Sequence, residues 1–214
     1  MSQQIDLKER ERQAFRSTFQ DGLWDIYLGL LFLAFGFAPI YNWLGMSETA
    51  DMAFHTVYVL VIFLIIWLGK RYITVPRLGR AKFGPARKRR IIKTRVVLSV
   101  SVLLGLAAFL LFATGNKVAV DLILLVFSAN ILIVFGTMAY FLDFDRLYIY
   151  AVLYALSLPV GHLLERHAGL PDADYIFFLS AGPTVIVGMV LFVRFMRNYP
   201  LPPDEEVPDG NPQS

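Results

Sequence analysis

Apolar residues fall in six long runs separated by polar breaks, at 23–44, 52–68, 96–114, 118–142, 147–164 and 175–196. A hydrocarbon core of about 30 Å takes about 20 helical residues, so each run predicts a membrane-spanning helix, the second a short one. Trp24 and Trp43 stand near the two ends of the first run and Trp67 near the end of the second, where amphipathic rings prefer to sit. Short breaks at 45–51, 115–117 and 143–146 predict tight turns, and 165–174, with Gly169 and Pro171, a polar loop. The longest break is 70–95. Pro76, Gly79, Gly84 and Pro85 predict that its first half is irregular. Pro85 also suits a first helical position, so the second half is predicted to run as helix into the third span.

Two flanking segments do not fit the spans. In residues 1–21, Phe15, Phe19 and Leu23 recur on one helical face, with Arg12 and Arg16 one turn apart on the same part of the wheel. That reads either as an interfacial amphipathic helix or as a frayed extension of the first span. Residues 198–214 carry Asp204, Glu205, Glu206 and Asp209 among closely spaced prolines, a composition that predicts disorder. The domain reading is therefore a cytoplasmic N-terminal segment (1–21), a six-span transmembrane domain (22–197) and an acidic cytoplasmic tail (198–214).

Charge fixes the expected orientation. The stretch 70–95 holds 11 of the 20 Lys and Arg residues and no Asp or Glu. With six spans, 18 basic residues fall on the side of this stretch and only Lys117 and Arg166 on the other. Positive loops stay cytoplasmic, so both termini are expected inside. Composition agrees with the membrane class: 17% of residues are charged, against about 25% in soluble domains. With no Cys, there is no disulfide, thiolate metal site or cysteine nucleophile. Residues 1–15 lack the form of a secretory signal.

The fold expected is all-α: a polytopic bundle of six transmembrane helices in three hairpins, both termini inside. Asp21-Gly22-Leu23-Trp24 and Asp145-Arg146-Leu147-Tyr148 share an entry pattern. An acid at a helix N-terminus is favourable in any protein, so the pattern does not establish a repeat.

Four groups of residues are candidates for chemistry. Arg87, Lys88, Arg89 and Arg90, beside a span, suit anionic lipid headgroups, at about 1 kcal/mol per charge, or serve only as a topology signal. The acidic tail is a further possible partner for the basic stretch. His55, Asp121, His162 and Glu165 are expected at similar depth at the outer helix ends. They are candidate metal ligands or a proton relay, or merely hydrated loop-end residues. Asn130, in mid-span, and Asp25, near the cytoplasmic surface, are intramembrane polar groups. Such groups mark function by default, although an amide more commonly ties helices together. Small residues at spacing four (Ser101 and Gly105; Ala151 and Ala155; Ser157 and Gly161; Ser180, Thr184 and Gly188) mark packing faces. Pro159 and Pro183 stand inside spans as kinks or breaks.

There is no nucleotide-binding loop, serine elbow, kinase signature or HExxH. The leading functional expectation is a non-enzymatic transporter-like or channel-like bundle, or a membrane-complex subunit. It is expected to need no cofactor and to bind the bilayer and anionic headgroups, with a protein partner or second copy possible and no nucleic acid. The alternatives are a membrane-embedded enzyme acting on lipid, with the outer His/Asp/Glu group as its metal site, and a scaffold or regulator working through the basic loop and tail.

Overall fold

The computed structural model describes residues 19–78, 85–113, 120–169 and 173–200. The regular elements among the described residues are all helical. They are α1 (Leu23–Leu33), a 3-10 turn (Ala34–Phe37), α2 (Ala38–Leu44), α3 (Glu48–Gly69), a π-helical turn (Lys70–Thr74), α4 (Val75–Leu78), α5 (Pro85–Ala113), α6 (Val120–Leu142), α7 (Arg146–Ala168), a 3-10 turn (Ala173–Tyr175) and α8 (Ile176–Asn198). Most of the N-terminal segment, and the acidic tail from residue 201 on, lie outside the described residues.

By length and composition, five stretches are able to cross a membrane: Leu23–Leu44, Glu48–Arg77, Leu124–Leu142, Arg146–His167 and Ile176–Asn198. The chain is thus an all-helical, multi-pass membrane protein by these criteria. The surface agrees. Leu60, Phe63 and Ile65 on α3, and Val102 and Leu103 on α5, are more than half exposed. A continuous apolar surface of this kind promotes association in water, whereas hydrocarbon solvates it.

Prolines shape the helices less than the sequence suggests. The first run does change winding, and Pro39 sits in the opening turn of α2, where its missing N–H has no helical partner to lose. The first half of the basic stretch is not irregular from Pro76. Helix continues through the π turn and α4 to Leu78. Lys70 and Thr74, both in the π turn, are anchored to Asp21 there, which holds the backbone helical up to the proline. Pro159 and Pro183 are accommodated inside α7 and α8.

The core is built by α1, α6, α7 and α8. Its centre is Tyr154, fully buried, with its ring stacked on Phe32 at 3.6 Å between centroids and met edge-on by Phe135 at 5.9 Å. On the outside, α3 packs on α1 through Leu23, Ile62 and Ile66, and α5 packs on α6. The most extensive helix contact joins α1 to α8. A methyl group built on Gly29 would lie 2.6 Å from Val185, and one on Gly36 would lie 2.8 Å from the Phe178 ring. At Gly188 it would lie 2.6 Å from the Ile26 backbone nitrogen. The two backbones therefore touch along their length. Residue numbers rise on α1 as they fall on α8, so these helices are antiparallel. By the same test α1 and α7 are parallel: Asp25 meets Arg146 and Phe32 meets Tyr154.

Candidate functional site

Local sequence explains how two carboxylates come to be buried at one end of the bundle. Asp21 precedes α1, and its Oδ1 accepts the Leu23 N–H (3.2 Å). This satisfies one of the donors that every helix start leaves open. Asp25 lies in the first turn of α1, where the helix dipole favours negative charge. Both side chains are 0% exposed.

Each carboxylate is met by a cation from a distant part of the chain. Lys70 Nζ donates to Asp21 Oδ2 at 2.6 Å, and Thr74 Oγ1 donates to the same oxygen at 2.7 Å. Arg146 grips Asp25 with two parallel bonds, Nε to Oδ1 and Nη2 to Oδ2, both 2.9 Å. Tyr150 Oη donates to Asp25 Oδ1 at 2.5 Å, and Arg146 Nη2 also donates to the Phe19 carbonyl at 2.8 Å. The guanidinium stands 5.0 Å from the centre of the Phe144 ring. A third pairing lies at the same end, where Arg87 and Arg90 both donate to Asp143 in the α6–α7 turn. Together these contacts tie α1 to α3 and α7, and α5 to the α6–α7 turn.

The third pairing involves two of the four residues expected to meet lipid headgroups. Arg87 is buried and turned, with Arg90, onto Asp143, whereas Lys88 and Arg89 are exposed. Residues 87–90 turn through a whole helical circuit, so two of the four necessarily face protein once the helix packs. Asp25 is held by its ion pair with Arg146 and by the Tyr150 hydroxyl.

Two of the outer candidates meet directly. His162 Nδ1 and Glu165 Oε2 are 3.9 Å apart. His55 lies on α3 with its ring 6.5 Å from that of Phe35. The Asp121 side chain lies outside the described residues. Among the described residues no three His, Cys, Asp or Glu side chains are grouped to hold a metal ion. Asn130 Nδ2 donates to Ser101 Oγ at 2.9 Å, joining α6 to α5.

Between the two ends runs a polar face of α7. Arg146, Tyr150, Tyr154 and Ser157 recur at spacings of four, four and three, and Gly161, His162 and Glu165 continue the line. From Arg146 to Glu165 it rises about 29 Å at 1.5 Å per residue, close to the hydrocarbon thickness. Thr184 and Ser180 of α8, both buried, face the same core. Known protein families, curated proteins and solved structures were compared with this chain, and none matches it. The site is therefore read from its own geometry.

The Tyr154 hydroxyl lies midway along this face. Its oxygen is buried without a hydrogen-bond partner. Thr184 stands beside it; its hydroxyl donates to the Ser180 carbonyl (3.3 Å) and keeps its lone pairs, but the Tyr154 hydroxyl is not within hydrogen-bond geometry of it. An orphaned buried hydroxyl costs about 1 to 3 kcal/mol and marks a place for water or function. Toward the far end, Ser157, His162 and Glu165 line a cavity of about 140 Å3. Tyr150 and Tyr154 are not among the candidates that the sequence offers, and Arg146 is there only as a charge and part of an entry pattern. The signal was available in their helical spacing from Arg146.

Proposed function

We propose that this protein is a non-enzymatic, transporter-like bundle of six membrane spans that carries protons along the polar face of α7. The observation that carries the reading is the polar line of Arg146, Tyr150, Tyr154, Ser157, His162 and Glu165, buried at Tyr150, Tyr154 and Ser157 and partly exposed at its two ends, with Asp25 and Thr184 facing it. Ionisable and hydroxyl groups are costly in a membrane interior and mark ion and proton routes. A proton hops between hydrogen-bonded oxygens and needs no open pore, but at Tyr154, whose hydroxyl has no protein partner, a bridging water would have to complete the chain. The Arg146–Asp25 pair closes the line at the basic end, and the cavity opens it at the other.

Helix directions support the six-span arrangement in three hairpins. Because α1 and α8 are antiparallel, the number of crossings from the first to the last is even. The five stretches above make it so only when α5, with 29 residues, is a sixth. The basic end, with 18 of the 20 Lys and Arg residues, is then cytoplasmic, as are residues 1–21 and 198–214. At that end Lys88 and Arg89, with Arg71 held beside the Trp67 ring at 5.2 Å, serve anionic lipid headgroups.

The test is proton uptake by sealed proteoliposomes, driven by a potassium diffusion potential and followed with an internal pH dye. Wild-type protein should take up protons faster than protein-free vesicles. Tyr154→Phe should slow uptake about tenfold, a barrier change of about 1.4 kcal/mol. Its melting temperature should hold or rise, because the orphaned hydroxyl is gone. Uptake no faster than in empty vesicles, or unchanged by Tyr154→Phe, would overturn the reading.

A further inference from the structure

The cavity at the far end has a chemistry that a proton line does not require. It lies among α6, α7, α8 and the 3-10 turn before α8, and holds about 140 Å3. Leu124, Leu158 and Phe177 form an apolar part, and His162, Glu165 and Asp174 a polar part. Ser157, 2% exposed, also lines it. The Ser157 hydroxyl hydrogen is committed to the Leu153 carbonyl (2.8 Å), so its oxygen is left only as an acceptor. Glu165 and Asp174, when ionised, are acceptors only, and each carboxylate has about four lone-pair sites. Both carboxylates have partners in the protein, among them His162 for Glu165 (3.9 Å), and a carboxylate with a partner can still accept from another donor.

We propose that this cavity binds a small alkylammonium cation. The charged head donates its N–H groups to Glu165 and Asp174, and the hydrocarbon stem lies against Leu124, Leu158 and Phe177. Size agrees, since an apolar cavity of about 150 Å3 holds benzene, which corresponds to a stem of about four to six carbons. A bare metal ion fits less well. Hard divalent cations take about six or more oxygen ligands, whereas no suitable three-residue group occurs among the described residues. An ammonium asks for no more than three acceptors, and its stem uses the apolar walls that a metal leaves idle.

The inference shares residues with the proton route but does not depend on flux. Binding is measured on the full chain in detergent, with no gradient, so either reading fails without the other. n-Butylammonium chloride titrated into the protein near neutral pH should give saturable heat. Tetramethylammonium, with equal charge but no N–H donor, should bind about tenfold more weakly, as should butylammonium to the Glu165→Gln/Asp174→Asn variant. Glu165 is exposed and Asp174 half-buried, so the variant should fold, and an unchanged melting temperature checks this. No saturable heat with wild type, equal affinity for the two cations, or a folded variant that binds as well as wild type would overturn the proposal. Displacement of butylammonium by equimolar Zn2+ would assign the cavity to a metal and overturn it too.

Discussion

Replacing Arg146 with methionine is expected to destabilise the protein by about 3 to 5 kcal/mol, the cost of leaving one member of a buried ion pair alone. Asp25 is 0% exposed, and after the substitution only the Tyr150 hydroxyl (2.5 Å) would remain on it. Converted at about 2 to 4 °C per kcal/mol for a domain of this size, the melting temperature in detergent should fall by about 10 °C. Removing both charges should restore much of the loss, because a buried pair is worth little more than apolar groups of the same volume. Arg146→Met with Asp25→Asn should therefore melt above Arg146→Met alone. If the double variant is no more stable than the single, Asp25 is not the reason Arg146 matters. A small effect from the single substitution would mean that water reaches the pair.

The second large effect is expected at the α1–α8 contact. A methyl group on Gly188 would lie 2.6 Å from the Ile26 nitrogen, 2.8 Å from an Ile26 side-chain carbon and 3.0 Å from the Asp25 Cβ. The first of these is backbone and cannot rotate away, so Gly188→Ala forces the helices apart. Overpacking of this kind costs about 1 to 3 kcal/mol, and here it also loosens the wall that keeps Asp25 dry. Gly182 provides the control on the same helix, because nothing lies within 4 Å of a methyl group placed there. Gly182→Ala should be neutral or stabilising by up to about 1 kcal/mol, from helix propensity. Thermal melting of the two variants checks the pair of expectations. Equal melting temperatures would contradict close contact of the two backbones.

Much of this architecture was legible in the sequence. The apolar runs located the helices, because a span must be apolar along its whole length and the breaks between runs are short. The packing partner of α1 was not legible. Gly22, Gly29 and Gly36 recur every seven residues, but spacing alone does not say which helix approaches them. That depends on Ala181, Val185 and Gly188 lying more than a hundred residues away. The site shows the same division. His162 and Glu165, one turn apart on α7, form a pair in the structure, and His55 on α3 stands with its ring by Phe35, a neighbour that spacing within one helix does not reveal. Asp25 was visible as a charge in a span, but its partner stands 121 residues along the chain. The basic cluster 87–90 was legible as charge but not as contacts. Its charge was plain, but Asp143 takes up Arg87 and Arg90 only because α5 packs against α6. Pro76 misled because a proline signals a break only when tertiary contacts do not hold the helix up to it.

The proposed proton route and the proposed amine site both put the two ends of α7 on opposite faces of the membrane, so both turn on sidedness. The chain contains no cysteine, so single cysteines report without background. Arg89 and Arg166 are both exposed, at opposite ends of the bundle. Intact cells carrying Arg89→Cys, Arg166→Cys or a C-terminal Ser214→Cys are treated with a membrane-impermeant maleimide, then lysed and treated again. Labelling before lysis at position 166 alone, with 89 and 214 labelled only after it, is the predicted result. Labelling of 89 or 214 on intact cells, or protection of 166, would contradict it.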